Sequence, residues 1–463
     1  MIKSKIDKSF YILGLGISGL STALFLKKKS KKVICWDDDN EKRKLAIENK
    51  LNVKKINPGE MSTIDYLIAS PIINHRKKKN HPIIEIAKKK KIEIISDLEL
   101  IYIFGITNKK IGITGTNGKS TTTKFIESSL KSQRCPTIAC GNIGIPITDS
   151  IQKLKKKTIL AIEASSFQLD KIQFLKFDIS ILLNISNDHL DWHGGFENYM
   201  NAKLEIFRNQ DKDCFAIICV DDKKCKQLVK LFPKKFKSSL IQISTQSNVD
   251  NGIYLKDLSN GIKIYNNLSS EVIFFENKLI KFTKVKHNLQ NFLAAYATCY
   301  LLNKDKNFKS SFNRIVNLEH RLELVKEFKR IHFYNDSKAT NIESTKSALN
   351  SFKNIFWILG GRKKTGGLKG IENSLGNVLH AFCYGECAKE FYNFLKKKSI
   401  KVIISDNLES ALKEAVTKSL IEKKRINIVF SPACSSFDQF QNFEHRGRKF
   451  KSLVSKIVRN GKP

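Results

Sequence analysis

The segment Ile111–Thr123 reads IGITGTNGKSTTT and follows a short apolar run. Gly115, Asn117 and Gly118 form a loop whose backbone amides can cradle phosphates. Lys119 can reach the β- and γ-phosphates of a nucleotide, and the Ser120 hydroxyl can ligate Mg²⁺. A strict phosphate-binding loop would have glycine at position 113. The residue is Ile113, so the loop is a variant. Glu163 ends another apolar run and offers a carboxylate able to hold Mg²⁺ between a nucleotide and a second ligand. Asn184-Ile185-Ser186-Asn187-Asp188-His189 follows a third run and brings an imidazole to a strand end.

A second glycine turn, Gly14-Leu15-Gly16-Ile17-Ser18-Gly19, stands near the start of the chain, and Asp37 ends the next apolar run. Glycines there let amides approach a phosphate, and an acid at the second strand end meets a sugar hydroxyl. This reads as a nucleotide or dinucleotide site. An NAD enzyme would explain it, but not Lys119. Three polar loops close the list: Asn335-Asp336-Ser337-Lys338-Ala339-Thr340-Asn341, Gly360-Gly361-Arg362-Lys363-Lys364, and Ser431 to Phe440, SPACSSFDQF. On one sheet edge they would form a rim for a small charged substrate. Two nucleotide-type sites plus this rim imply ATP-driven chemistry on a second ligand.

Short β-rich runs alternating with helical patterns must position these groups, the signature of a parallel α/β protein. The runs are Tyr11–Leu13, Val33–Trp36, Tyr66–Ala69, Lys110–Ile113, Ile159–Ile162, Ile179–Asn184, Ile355–Leu359 and Ile426–Phe430. Nearly every motif follows one of them, and ligands of open α/β sheets bind at the carboxyl ends of strands. Residues 211–285 carry shorter pieces between Asn, Ser and Gly turns, which suggests an antiparallel subsheet on the middle domain. The expected organisation is α/β in three domains: residues 1–105, 106–316 and 317–463. The first and last are Rossmann-like, and the central one is of the P-loop ATPase type. At 463 residues the chain has room for three cores.

Composition narrows the partners. Lys+Arg number 82 against 44 Asp+Glu, a formal net charge of +38, which first suggests nucleic acid. Only 12 of those cations are Arg, however. Nucleic-acid sites favour Arg for bidentate contacts, and no aromatic-interleaved basic stripe is found. The lysines read as solvated surface. No apolar stretch reaches the length of about 18 residues that a membrane helix needs. Met1 to Leu26 has a basic start and an apolar run, but it lacks a small-residue cleavage site and runs into the glycine turn, which argues against a signal peptide. The ten Cys are scattered without a CxxC pair, as expected for free thiols in a reducing cytoplasm.

Taken together, GTNGKST, the Glu163 segment, NDHLDWH leading to Ala202-Lys203, and the terminal α/β domain resemble the Mur ligases over essentially the whole chain. Within that family GNIGIP (141–146), NDSKATN (335–341) and SPACSSFDQFQNFEHRG (431–447) match the branch that adds D-glutamate. Branches adding other amino acids, and the folylpolyglutamate synthetases, carry a DYAH- or DGAH-like sequence where this chain has Asp336-Ser337-Lys338-Ala339. Those branches are the alternative reading.

The resemblance implies an amide bond made with ATP between UDP-N-acetylmuramoyl-L-alanine (UDP-MurNAc-L-Ala) and D-glutamate, through an acyl phosphate, by a cytoplasmic monomer in peptidoglycan precursor synthesis. Gly115, Thr116, Asn117, Gly118, Lys119, Ser120 and Thr121 match the family's ATP loop. Glu163, with Ser120, matches the first Mg²⁺ site, and His189 the second. Lys203 matches a lysine carbamylated by CO₂, which turns an ammonium into an anionic ligand. Lys119, Glu163, His189 and Lys203 are thus the implied catalytic set. Gly14, Gly16, Ser18, Gly19, Asp37 and Asn142 match the UDP-sugar site. Asn288, Asn291, His320, Arg321, Asp336 and Lys338 match ATP contacts, and Thr340, Lys364, Ser436 and Phe443 the D-glutamate pocket. Two positions depart from the pattern. Asp39 stands where some relatives carry Arg. The loop before Lys364 also lacks an acid, which leaves Lys363 and Lys364 both open as the pocket lysine, with register favouring Lys364.

Overall fold

The computed structural model describes residues 6–76, 80–142, 144–276, 286–312, 319–362 and 367–460. Three sheets organise them, and the chain forms two compact units, one carrying the first two sheets and one the third.

The first sheet has four strands: β1 (Ile6–Leu13), β2 (Ser30–Trp36), β3 (Tyr66–Ala69) and β4 (Glu93–Ile95). They lie in the order β2-β1-β3-β4, all parallel. Phe10-Tyr11-Ile12-Leu13 is a continuous buried run, as a strand covered on both faces requires. The glycine turn leaves the carboxyl end of β1, and the helix Ile17–Lys29 carries the chain across to β2.

The second sheet has nine strands: β5 (Lys110–Thr114), β6 (Thr137–Gly141), β7 (Ile159–Glu163), β8 (Ile179–Leu182), β9 (Phe215–Cys219), β10 (Ser239–Ser244), β11 (Gly252–Leu258), β12 (Gly261–Asn266) and β13 (Glu271–Glu276). Their order is β13-β12-β11-β10-β9-β8-β5-β7-β6. The stretch expected to be an antiparallel subsheet divides in two. β9 and β10 continue the parallel sheet, and β11 still pairs parallel to β10. Only β11, β12 and β13 are mutually antiparallel. The helix Lys223–Lys235 between β9 and β10 supplies the crossover that parallel pairing needs, whereas Ser259-Asn260 alone joins β11 to β12, which allows only a hairpin. One apolar core runs from Phe10 and Phe25 under the first sheet to Leu160 and Phe207 under the second.

The third sheet has six strands: β14 (Glu323–Phe328), β15 (Ile331–Asn335), β16 (Ile355–Gly360), β17 (Val378–Tyr384), β18 (Lys401–Ile404) and β19 (Ile426–Phe430). The order is β14-β15-β19-β16-β17-β18, parallel except for the β14–β15 pair. Apolar clusters cover both faces, with Trp357 and Leu359 on one and Phe356, Ile358 and Phe430 on the other. Among the described residues no helix is long and apolar enough to cross a membrane.

Candidate active site

β8, β5 and β7 are neighbours, so the loops leaving their carboxyl ends meet. The loop after β5 is the phosphate-binding candidate. Gly115 and Gly118 hold φ of +152° and +87°, a region that side-chain-bearing residues rarely adopt. A Cβ on Gly118 would also lie 2.2 Å from Asn291 Oδ1. Gly118 opens the helix Lys119–Ser132 with no side-chain cap, so its first amides point out toward an anion. Asn184, at the end of β8, clamps the loop from outside. Its Oδ1 accepts from the Asn117 amide at 2.8 Å, and its carbonyl accepts from Thr116 at 2.9 Å. Thr121 has a buried hydroxyl without a hydrogen-bond partner. Asn291 accepts from Thr122 and donates to Asn288, which ties both ATP-contact candidates of this unit to the same helix.

Two lysines converge on one oxygen. Lys119 Nζ donates to Gly115 O at 2.8 Å and to Thr116 O at 2.9 Å. Lys203 Nζ, from the helix Phe196–Leu204, donates to the same Gly115 O at 2.8 Å. Lys203 is 1% exposed. Burial first, and then the Lys119 ammonium, push its amine well below the usual lysine range, against the fields of Asp188 and Glu163. Its Nζ also stands 4.7 Å from the centre of the Tyr199 ring, and the Tyr199 hydroxyl shares a 2.9 Å hydrogen bond with Thr116 Oγ1. Tyr199 and Asn184 are positioning residues that no sequence pattern singled out as site residues.

Glu163 ends β7, buried, and its Oε1 accepts from Asn142 Nδ2 at 2.9 Å. The candidate sugar contact and the candidate metal ligand therefore touch. His189 takes φ +53° after β8, its ring 4.8 Å from that of Phe167 and its Nε2 3.6 Å from Asp188 Oδ2. Asp188 is the link between His189 and the field at Lys203. Among the described residues no cluster of three or more His, Cys, Asp or Glu could hold a metal by itself. A hydroxyl, one carboxylate and phosphate oxygens are nonetheless the hard donor set that suits Mg²⁺. The orphaned Thr121 hydroxyl and the uncapped helix start fit a bound phosphate beside it.

At the first glycine turn Gly14 has φ +97°, and a Cβ on Gly19 would lie 1.9 Å from Gly14 O. Asp37 accepts from the Leu15 amide at 2.6 Å and from the Asp39 amide at 2.9 Å. Asp37 thus braces the loop as well as facing the site. Gly16 lies exposed, with nothing within 4 Å of a built Cβ, and Ser18 is half-buried in the first turn of the helix. Behind this turn the loop after β3 is pinned to the second sheet's domain. Trp192 Nε1 donates to Ile72 O at 3.0 Å, and Arg76 Nη2 lies 2.8 Å from the buried Asp170.

In the third sheet β15, β19 and β16 are neighbours, so their three polar loops emerge side by side. Asp336 is buried. It accepts from Ser431 Oγ at 2.8 Å and from the Leu322 amide at 3.3 Å. Burial raises its carboxyl to about 7, opposed by the Ser431 bond and the Arg321 charge. His320 Nδ1 meets Asn335 Nδ2 at 2.9 Å, and Lys338 Nζ lies 4.7 Å from the Phe443 ring centre. Arg446 is fully buried and binds Ser337 through Nε and Nη2, Cys434 O through Nη2, and Ser435 O through Nη1. Arg446, within the 431–447 motif, fastens the loop carrying Thr340 to the loop carrying Ser436. Arg362 and Ser435 form a β-bridge that adds the loop after β16. Lys364, and its rival Lys363, lie outside the described residues.

Residues 113–299 match the family model of the Mur ligase middle domain, and residues 8–96 that of the MurD-like Mur ligase N-terminal domain. The chain is 35% identical to a UDP-N-acetylmuramoylalanine–D-glutamate ligase of Rickettsia felis, over 96% of this chain and 96% of that protein. It is 35% identical to the protein of the same name in Caldicellulosiruptor bescii, over 98% and 99%. Among solved structures, the MurF ligase of Thermotoga maritima in complex with ADP superposes with a TM-score of 0.60 at 16% identity, covering 97% of this chain and 98% of that one. At that identity the likeness is one of fold.

Proposed function

The chain belongs to the Mur ligase family, and we propose that it joins D-glutamate to UDP-MurNAc-L-Ala with ATP. The observation that carries the reading is the meeting of Lys119 and buried Lys203 on the Gly115 carbonyl of the phosphate loop. The substrate carboxylate and the γ-phosphate are both anions and repel. Lys119 and the loop amides offset that charge so that the carboxylate oxygen can attack phosphorus and release ADP. The D-glutamate amine then attacks the acyl carbon. The tetrahedral intermediate expels phosphate, and the amine loses its proton.

Mg²⁺, held by Ser120 and Glu163 with His189 at a second position, would neutralise phosphate charge. Lys203 is suited to become a carbamate. A buried amine held beside another ammonium is most stable neutral, and the neutral amine is the form that adds CO₂. The resulting anion would face Lys119 instead of repelling it. Asn142 orients Glu163 from the sugar side.

Residues 1–105 are assigned to the UDP-sugar, 106–316 to ATP and 317–463 to D-glutamate. Thr340, Ser436 and Phe443, with Lys364 or Lys363, are the residues that the family pattern gives to D-glutamate. Asp336, Lys338, His320 and Arg321 are the residues of the C-terminal unit that the family pattern gives to ATP. The ten unpaired thiols suit a reducing cytoplasm. Phosphate release from ATP, measured with UDP-MurNAc-L-Ala and a panel of amino acids, tests the reading. Release with D-glutamate supports it. Release with L-alanine or L-glutamate and none with D-glutamate overturns it in favour of another ligase of the family.

A further inference from the structure

Cys387 and Cys434 come from distant parts of the third sheet, yet their sulfurs stand 3.2 Å apart. Cys387 occupies the position before the helix Ala388–Lys396, its side chain making no capping hydrogen bond, at the end of a helix whose dipole favours a thiolate. Its own amide donates to Gly361 O. Cys434 lies in the loop after β19, two residues before Ser436. A disulfide needs the sulfurs about 1 Å closer than they are. Cys387 is 3% exposed and Cys434 0%, so an oxidant as small as a peroxide meets Cys387 first and a bulky disulfide meets neither.

We propose that Cys387 and Cys434 are a peroxide-oxidisable dithiol whose closure to a disulfide locks the amino-acid loop of the C-terminal unit. The Cys387 thiolate attacks a peroxide oxygen and hydroxide leaves, giving a sulfenic acid. The Cys434 sulfur attacks the Cys387 sulfur, and water leaves as the S–S bond forms. Two thiols are oxidised by two electrons, and one hydrogen peroxide is reduced to two waters. The hydrogen bond between the two sulfurs supports this order. It lowers the Cys387 thiol and, with burial, raises that of Cys434, which makes Cys387 the attacker and Cys434 the resolving group.

Cys434 cannot shift alone. Its carbonyl accepts from Arg446, the Ala433 amide donates to Ala339 O, and Ser435 is bridged to Arg362. Drawing its sulfur toward Cys387 therefore strains all three loops of the rim, while the phosphate loop belongs to another compact unit. This consequence rests on the D-glutamate reading above; the dithiol itself does not.

The test uses the full chain, treated with hydrogen peroxide, alkylated and digested for mass spectrometry. A linked Cys387–Cys434 peptide is expected in the wild type and in Cys383→Ser. Cys434→Ser should lose it and instead yield a dimedone-reactive Cys387. Oxidised protein should show a KM for D-glutamate raised about ten-fold and restored by dithiothreitol, since ångström displacements in a site carry penalties of that order or larger. Both thiols remaining alkylatable after peroxide, or Cys387 linked elsewhere, overturns the dithiol. A linked protein with unaltered D-glutamate KM overturns the lock. A linked peptide in a protein that never turns over D-glutamate removes the functional reading and leaves the dithiol standing.

Discussion

Two glycine turns, each between the first strand of a parallel sheet and a helix, have opposite electrostatic surroundings. At Gly14–Gly19 a carboxylate braces the loop, with Asp37 accepting the Leu15 amide at 2.6 Å. At Gly115–Gly118 the equivalent brace is neutral, Asn184 accepting the Asn117 amide at 2.8 Å, and two lysine Nζ atoms meet on one carbonyl, with the Asp188 and Glu163 carboxylates acting on Lys203. Backbone geometry makes both turns anion cradles. The charge of the surroundings decides which anion suits each. A loop next to a carboxylate favours a diphosphate that also presents sugar hydroxyls. A loop that carries the Lys119 ammonium favours a triphosphate, whose charge must be offset before a second anion can approach.

The comparison breaks hardest at Lys203. Lys203→Ala should lower kcat by about 1,000-fold, the scale of losing preorganised charge in an active site. Its effect on the melting temperature should be small beside that, because what is lost is a desolvated amine and one hydrogen bond to Gly115 O. A short carboxylate added to the assay should restore part of the rate, whereas chloride should not. Wild-type turnover in the variant would remove Lys203 from the reaction. Gly118→Ala comes next, with a loss of about 100-fold or more expected because both the positive φ and Asn291 Oδ1 oppose a Cβ. Gly376→Ala, outside both turns and with nothing within 4 Å of a built Cβ, should stay within about two-fold of wild type; equal damage from the two changes would show that the Cβ clash is not what matters. Asp37→Asn is smaller again. KM for the UDP-sugar should rise about ten-fold at unchanged kcat, the pattern of lost uniform binding, and a fall in kcat alone would place Asp37 elsewhere in the cycle.

Both turns were legible in the sequence for a physical reason. A glycine-rich turn after a continuous apolar run leaves a local mark, as do strands buried on both faces. Glu163 and the three rim loops were found the same way, as polar residues following apolar strands. What stayed hidden is long-range. Asn184 is one polar residue in a loop until β8 is known to lie beside β5. Tyr199 and Arg446 act through contacts 83 and 109 residues away in the chain. Lys203 is one lysine among many, and only its resemblance to a family pattern marked it. The split of residues 211–276 into parallel and antiparallel parts depended on the connections: a helix crosses from β9 to β10 and residues 245–251 return the chain parallel without one, whereas two residues turn β11 into β12, and strand-like runs alone do not report that.

The smallest expected effect concerns the seam that holds the two turns in register. His193 sits there, its Nε2 3.0 Å from Ser166 Oγ and its ring edge-on to Trp192, whose indole reaches back to Ile72 beside the first turn. Burial, then the charges of Lys203, His189, Arg76 and Lys171, lower its imidazole to about 4. His75, on the other side of the seam, is lowered to about 3, first by burial; Asp170 lies 3.6 Å away, but Arg76 at 2.8 Å already shares that carboxylate. Each histidine is neutral when folded and takes up a proton near pH 6.5 when unfolded. The unfolded chain therefore binds more protons below that pH, and the melting temperature should fall as pH drops from about 6.5 toward 4. His193→Gln keeps a hydrogen-bonding side chain and removes the titration. Its melting temperature should fall less steeply over that window, by a few degrees at most. Parallel curves for wild type and variant would mean that His193 is already charged in the folded protein and that burial does not hold its imidazole neutral.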